Sequence, residues 1–510
     1  MPQYCIGVDI GTTSTKAIVF NKDGQVISKS SREYPIYSNR PSFREQNPDE
    51  ILDAVKHTIK ECIEKSMLRP EEISFVSFSS MMHSLIAVDK DGIPLTGCII
   101  WADNRSVAYT EEFKANGRGI EIYKRTGTPT HPMSPLYKIM WLRDNEPYIF
   151  NKAHKFISIK EYVFLKFFNE FVVDYSIASA TGMFNIFELK WDKEALKAAG
   201  IDTEKLSKPV PTTYSMTGLK KDLCSELGLT ENTPFILGAS DGCLANLGSN
   251  AIKSGVAAAT IGTSGAVRVA FDRPVTDSRG RVFCYVLTEN KYIVGGPINN
   301  GGIIYRWFRD NFGEMEVKRA EEMGVDSYTL LNEYINNTEP GSHGLIFLPF
   351  LAGERAPYWN ANLRGAFLGI SDAHKKSHFT RAIIEGICYD MNDVFEAVKN
   401  LVGNVELVYA DGGFTRSEEW VHILCDIMDT KVIVHKNYES PCLGAVMLGM
   451  LSTGEIGKLE DCSFMFKDFK AYEVRQENRE IYKKLFKVYR QAVDGMMPVF
   501  EMLSSLQNNV

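Results

Sequence analysis

No Cys-x-x-Cys pair occurs in the chain; its ten cysteines stand singly, several inside apolar runs. That excludes a disulfide scaffold and a zinc ribbon, and predicts reduced, buried thiols in a cytoplasmic protein. The nine histidines show no His-Glu-x-x-His spacing, which argues against a zinc hydrolase. No uncharged apolar run approaches the ~20 residues of a membrane helix. The start, Met1-Pro2-Gln3-Tyr4, lacks the basic region and apolar core of a secretory signal. The net charge of −7 comes from mixed signs without a basic arm, so no nucleic-acid partner is expected. No Gly-x-x-x-x-Gly-Lys-Ser/Thr loop is present, which sets aside P-loop phosphate chemistry. Low-complexity segments are absent too.

What is there is enough for more than one core. A chain of 510 residues, 44% hydrophobic and 24% charged, exceeds the roughly 250–300 residues one core sustains. Strand, turn and strand open it: Tyr4 to Ile10, then Lys16 to Phe20, then Gln25 to Ser30. Asn47-Pro48-Asp49-Glu50 starts a helix, with Asn47 as cap and two acids at the positive end. Ile73 to Phe78 follows as a buried strand. The same α/β rhythm returns later, with a helix from His378, a strand ending at Ala410, a helix over Ser417 to Asp429 and a strand Lys431 to His435. Ile481, Leu485, Val488 and Ala492 predict a closing amphipathic helix. The pattern breaks at Leu247-Gly248-Ser249-Asn250, which predicts domains at 1–248 and 249–510.

One internal repeat spans that break. Val8-Asp9-Ile10-Gly11-Thr12-Thr13-Ser14 resembles Ala259-Thr260-Ile261-Gly262-Thr263-Ser264-Gly265. Glycine lets a backbone approach a ligand, and successive turn amides and hydroxyls form an anion-binding concavity. Asp9 is placed to hold Mg²⁺ and Lys16 to neutralise phosphate. A plain hairpin turn is the competing reading of either copy alone; the second copy, at Gly262 and Thr263, favours phosphate binding. Gly238-Ala239-Ser240-Asp241-Gly242 follows an apolar strand, so Asp241 is either a simple helix cap or a carboxylate base at a helix N-terminus. Asp411-Gly412-Gly413-Phe414-Thr415-Arg416-Ser417 is either a tight strand-to-helix turn or a seat for a flat adenosine. Met82, His83, Trp101, Asp103, Arg105 and His131 together offer a polyol its donors and acceptors; Arg105, Lys160 or a histidine would meet a carboxylate.

Two longer runs carry a family resemblance. They are Met133-Ser134-Pro135-Leu136-Tyr137-Lys138-Ile139-Met140-Trp141-Leu142, and Gly365 to Ile370 followed by His378 and Ala382-Ile383-Ile384-Glu385-Gly386. Over nearly its whole length the chain resembles the FGGY carbohydrate kinases. The resemblance implies an α/β fold of two ribonuclease-H-like lobes, of the actin and hexokinase type, with an interlobe cleft, and Mg²⁺ and ATP as cofactors. It implies Asp241 as catalytic base, sharing Mg²⁺ with Asp9. Gly11, Thr12 and Thr13 match one phosphate loop and Gly262 and Thr263 the other. Gly302, Gly412, Gly413 and Ser417 match nucleotide contacts, although glycerol kinases carry Asn where Ser417 stands.

Within the family, Phe78 to Ser84, Trp101 to Ser106 and Lys124 to Pro135 resemble the gluconate-kinase branch. Met82-His83 also matches the sugar contact of xylulose kinases. Those enzymes carry Gln and Gly where Met81 and Ser84 stand here. The implied partner is a small sugar acid or sugar, with D-gluconate giving 6-phospho-D-gluconate. A pentulose kinase is the alternative within the class, and a sugar- and nucleotide-binding, non-catalytic actin-like protein the alternative outside it. The oligomeric state is open, a homodimer included.

Overall fold

A computed structural model describes residues 3–435 and 439–508. Contacts divide the chain into two compact units. The first comprises 1–253, 270–294 and 437–467, and the second 254–269, 295–436 and 468–510. The sequence pattern breaks at 248. The contacts instead carry the first unit to Lys253 and return two later segments to it.

The first unit is built on six strands: β1 (Tyr4–Ile10), β2 (Ser14–Asn21), β3 (Val26–Glu33), β4 (Ile73–Ser80), β5 (Ser215–Met216) and β6 (Phe235–Ser240). Their order is β5-β6-β4-β1-β2-β3. The β1–β2–β3 meander is antiparallel, whereas β4 pairs parallel with both β1 and β6. Successive side chains point to opposite faces. On β1 and β2, Ile6, Val8, Ile10, Ala17 and Val19 enter one core, while Cys5, Ile18 and Phe20 enter another. A sheet buried on both faces reads as continuous apolar runs, as these strands do.

Helix Pro48–Ser66 covers the first face, started as its sequence dictates: the Asn47 side chain accepts from the Asp49 amide at 2.9 Å and Pro48 fills the first turn. Helices Asp241–Gly248 and Ser440–Ser452 cover the second. They meet backbone to backbone: a Cβ on Gly444 would lie 2.1 Å from the Leu244 carbonyl oxygen.

A second, seven-stranded sheet repeats the plan with β7 (Val256–Ile261), β8 (Gly265–Phe271), β9 (Lys291–Ile298), β10 (Leu407–Asp411), β11 (Lys431–His435) and β12 (Phe469–Tyr472), ordered β9-β8-β7-β10-β11-β12, with Phe283–Thr288 beyond β9 at the edge. Again β7–β8 is an antiparallel hairpin, β10 pairs parallel with β7 and β11, and the last strand runs antiparallel. The repeat read from fourteen residues is therefore a repeat of a whole sheet.

Helix Lys376–Val402 is the main buried helix of the second unit. The closing helix, Gln476–Asn508, packs with Tyr482, Tyr489, Val493 and Phe500, while Ile481 and Val488 stay exposed. The buried stripe is thus one residue from the predicted one. The reason is polar: the Tyr482 hydroxyl bonds Glu385 and the buried Arg381, both at 2.9 Å. All ten cysteines are free thiols. Among the described residues, no helix is long and apolar enough to cross a membrane.

Candidate functional site

In the first unit, three parallel strands bring their carboxyl ends to one edge. Register sets Asp9 beside Ser79 and Ser79 beside Ala239. Neighbouring strands lie ~4.8 Å apart, so the ends of β1 and β6 are separated by about 10 Å. Ligands of open α/β sheets bind outside such ends.

The Gly11–Thr13 turn sits on this edge and is held from several sides. The Gly11 amide donates to the Ser14 carbonyl at 3.0 Å, and the Tyr34 hydroxyl to the Gly11 carbonyl at 2.6 Å. Gln46 Nε2 donates to the Thr12 carbonyl at 2.6 Å, and Trp101 Nε1 to Thr12 Oγ1 at 2.9 Å. The Asp9 carboxylate accepts from Ser79 Oγ at 2.7 Å. Burial raises its pKa, against the pull of Ser79 and Lys16. Lys16, expected beside phosphate, ion-pairs with Glu439 at 3.0 Å and remains partly exposed.

Asp241 opens helix Asp241–Gly248, with Ser240 extended before it as the cap residue. A carboxylate in a first helical turn is stabilised in its ionised form. The approach to it is rigid. Ser176 Oγ bonds the Ser240 hydroxyl at 3.0 Å and its amide at 3.1 Å. Lys160 Nζ donates to the Leu237 and Ala239 carbonyls at 3.0 and 3.1 Å and pairs with Asp174 at 2.7 Å.

Those bonds correct one expectation. Lys160 is 2% exposed and its charge is met by Asp174, so it is no donor for a substrate carboxylate. Arg105 is likewise spent: it pairs with Asp103 at 2.8 Å and Glu45 at 2.5 Å, beneath the Phe43 ring. Asp103 is fully buried and also takes the Arg44 amide at 2.7 Å, which makes it a loop staple.

Met82, Trp101 and His131 are half-buried, and His131 Nδ1 accepts from the Met133 amide at 3.2 Å. His83, at φ 65°, sets its Nδ1 2.7 Å from the Ala180 carbonyl. Lys138 was passed over in the sequence except as part of a motif. It donates to the His83, Ile99 and Ile100 carbonyls at 2.6, 3.2 and 2.8 Å, tying the His83 loop to the Trp101 loop. Burial pushes its pKa down to about 7.

In the second unit, Gly262, Thr263, Gly302, Gly413 and Ser417 come together around a cavity of about 530 Å³. The turn after β7 is pinned to the start of helix Gly302–Phe312: the Gly302 amide donates to the Gly262 carbonyl at 2.7 Å and Ile303 to Thr263 at 3.1 Å. Gly412 adopts φ 111°, and a Cβ there would lie 2.4 Å from the Ile261 carbonyl oxygen, so only glycine fits. Ser417 caps helix Glu418–Met428, accepting from the Trp420 amide at 3.4 Å. Tyr305, Tyr328, Trp420 and Phe414 supply ring surface, and Arg306, Arg416 and Asn332 supply polar groups. Phe414 and Arg416 belong to the run read as a seat for adenosine; the other five carry no such signal in the sequence. Tyr328 and Asn332 come from helix Ser327–Asn336, which the sequence pattern above does not mark.

An apolar, aromatic-walled pocket with helix N-termini and turn amides at its rim suits a planar base joined to an anion. The other edge, with a carboxylate at a helix start beside a Gly-Thr-Thr turn, suits acid–base work on a hydroxyl near phosphate.

Residues 4–248 match the N-terminal domain, and residues 257–453 the C-terminal domain, of the FGGY family of carbohydrate kinases. The chain is 47% identical over 511 residues to a gluconokinase of Bacillus subtilis (strain 168), covering 100% of this chain and 97% of that one. The solved structure of a ligand-bound xylulose kinase from Lactobacillus acidophilus matches with a TM-score of 0.93 at 34% identity, over 98% of this chain and 99% of that one. A gluconate kinase from the same organism matches with a TM-score of 0.91 at 34% identity, over 97% and 98%. Matched in both of its domains, the chain belongs to the FGGY family of carbohydrate kinases and has that family's two-domain, actin-like α/β fold.

Proposed function

We propose that this protein transfers the γ-phosphoryl group of ATP to the terminal hydroxyl of D-gluconate, giving 6-phospho-D-gluconate and ADP. The observation that carries the chemistry is Asp241: a partly accessible carboxylate at a helix start, on a strand end locked by Ser176 and Lys160. Asp241 takes the hydroxyl proton as the sugar oxygen bonds the γ-phosphorus. The bond from that phosphorus to the bridging oxygen breaks, and ADP leaves with the electron pair. Phosphoryl transfer asks for positioning and charge stabilisation more than for covalent help. The Gly11–Thr13 turn and the Gly262–Thr263 turn are each suited to phosphate, the glycines by admitting close approach and the threonines by their hydroxyls.

Asp9 and Asp241 would hold Mg²⁺. Two carboxylates at strand ends, one oriented by Ser79, form a donor set of the kind Mg²⁺ accepts while keeping several waters. When bound, the ion offsets phosphate charge. Tyr305, Tyr328 and Trp420 would hold the adenine, with Gly302, Gly412, Gly413 and Ser417 beside it. Met82, His83, Trp101 and His131 take the polyol.

Gluconate is favoured by full-length similarity to a gluconokinase. A pentulose is the second reading, favoured by the TM-score of 0.93 with a xylulose kinase. The test is coupled ADP release with Mg²⁺-ATP and gluconate, xylulose, ribulose, glycerol or glucuronate. Saturable turnover confined to gluconate is expected. Turnover with xylulose in its place discards gluconate and keeps the role of Asp241.

A further inference from the structure

A pair of carboxyl groups with no assigned part in the chemistry lies buried beside the Asn299–Asn300 segment, which leads to Gly302 at the rim of the second unit's cavity. Glu354 is 2% exposed and Asp390, on helix Lys376–Val402, is 0% exposed. Glu354 is fully engaged. Its Oε1 accepts from the Asn299 amide at 2.5 Å and the Arg355 amide at 2.7 Å, and its Oε2 from Asn300 Nδ2 at 2.6 Å. Asn300, also fully buried, bonds the Gly353 carbonyl at 2.7 Å. Asp390 differs: neither of its oxygens meets an N–H or hydroxyl donor among the described residues, and the group it faces is the Glu354 carboxyl.

Two ionised carboxylates in contact inside a protein repel with little screening, and a fully buried carboxyl without a donor is costly. One proton placed between them removes both problems. Among the described residues Asp390 forms no ion pair and takes no hydrogen bond. Asp393, one turn on, accepts the Tyr358 hydroxyl at 2.5 Å and faces Arg490 at 3.5 Å. Arg355 is turned to the Asn299 side chain at 2.7 Å and the Ile298 carbonyl at 3.1 Å. Tyr489, from the closing helix, stands near both carboxyls as a neutral phenol held far above its usual pKa by burial. Burial likewise raises the pKa of Asp390, and of Glu354.

The loop that Glu354 grips leads straight to Gly301 and Gly302, where helix Gly302–Phe312 begins and the Gly262–Ser264 turn is tied down. We propose that Glu354 and Asp390 share one proton and act as a positioning pair, fixing the Asn299–Gly302 loop for the phosphates of the bound nucleotide. This rests on the reading that the second unit takes the nucleotide.

The test uses the full chain, with ADP as the probe, in three variants. Asp390→Asn keeps the shape and supplies a permanent N–H to Glu354. Asp390→Ala removes the partner. Glu354→Gln points an amide N–H₂ at a donor. Calorimetry is expected to give Asp390→Asn an ADP affinity within threefold of the parent, and the other two a loss of tenfold or more, with the gluconate KM unchanged. Melting between pH 4.5 and 8 gives a readout that a purely structural contact would not move. The folded parent holds a proton that the unfolded chain releases above ordinary carboxyl pKa values, so its stability falls as pH rises. Asp390→Asn lacks that proton, so its melting temperature gains on the parent with rising pH. If Asp390→Asn binds as poorly as Asp390→Ala, or the two melting curves run parallel with pH, the shared proton is refuted. If all three variants bind ADP as the parent does, the positioning role is refuted. A parent chain that binds no ADP overturns the nucleotide reading itself, and the positioning role with it.

Discussion

Replacing Gly444 with alanine adds one methyl group where two helix backbones touch. The new Cβ would lie 2.1 Å from the Leu244 carbonyl oxygen. Ordinary C···O contacts begin near ~3.3 Å, so the helices must part by about 1.2 Å. The obstacle is backbone, which cannot swing aside as a side chain would. Overpacking then costs about 3 kcal/mol, the upper end of its usual range. Better helix propensity returns about 1 kcal/mol, leaving a net loss of about 2 kcal/mol. The displaced partner is helix Asp241–Gly248, whose first residue is the proposed base. Misplacing a reacting group by ~1 Å costs on the order of 10²-fold in rate. Urea unfolding and kcat with saturating ATP and sugar check both numbers. Gly495→Ala is the control. It lies in helix Gln476–Asn508 with nothing within 4 Å of its added Cβ, and should gain about 1 kcal/mol with kcat unchanged. A Gly444→Ala enzyme with normal stability and turnover within twofold of the parent refutes the reasoning.

Asp241→Asn should fold normally yet lose about 10²–10⁴-fold in kcat; turnover within tenfold of the parent takes Asp241 out of the reaction. Lys160→Met strands the buried Asp174 carboxylate, and urea unfolding should register a loss of about 3–5 kcal/mol. A loss under about 1 kcal/mol would show that the pair does not hold the strand end. Gly412→Ala forces a Cβ against the Ile261 carbonyl at φ 111°, and calorimetry should give an ADP affinity lower by about tenfold, equivalent to ~1.4 kcal/mol of strain.

How far the sequence reached depended on how local each signal was. Strand β1 and the Asn47 cap are written in adjacent residues, and both stand where the pattern puts them. The same holds for β11, from Lys431 to His435. Side-chain roles that depend on distant partners were not legible. Lys160 and Arg105 look like ligands as isolated charges. Asp174 lies 14 residues from Lys160 and Glu45 lies 60 from Arg105, and only the fold brings those partners together; Asp103, two residues from Arg105, is the one local partner. The return of segment 437–467 to the first unit had the same cause. An apolar helix does not name the sheet it will cover. The closing helix is present as the pattern predicts, but its buried face is offset by one residue, because a tyrosine that buries its ring and bonds a buried arginine does not stand out in an aliphatic pattern.

The duplicated sheets show how one scaffold can divide two tasks. In each, the hairpin strand and its parallel neighbour end side by side, and register aligns one carboxylate with one hydroxyl. In the first unit the carboxylate, Asp9, is on the hairpin strand and the hydroxyl, Ser79, on the neighbour. In the second the order is exchanged: Thr260 is on the hairpin strand and Asp411 on the neighbour. The exchange sets the charge beside each turn. Asp9 stands two residues before Gly11, on the edge that also carries Asp241, which suits a cation and a proton. Thr260 leaves the equivalent strand neutral before Gly262, and Asp411 instead accepts the amide of Gly412 at 2.7 Å, holding a glycine turn at the wall of the aromatic pocket. On the proposed reading, an edge that holds a cation and a pocket that holds a nucleotide make opposite demands on charge, and exchanging one carboxylate between paired strands serves both without changing the backbone plan.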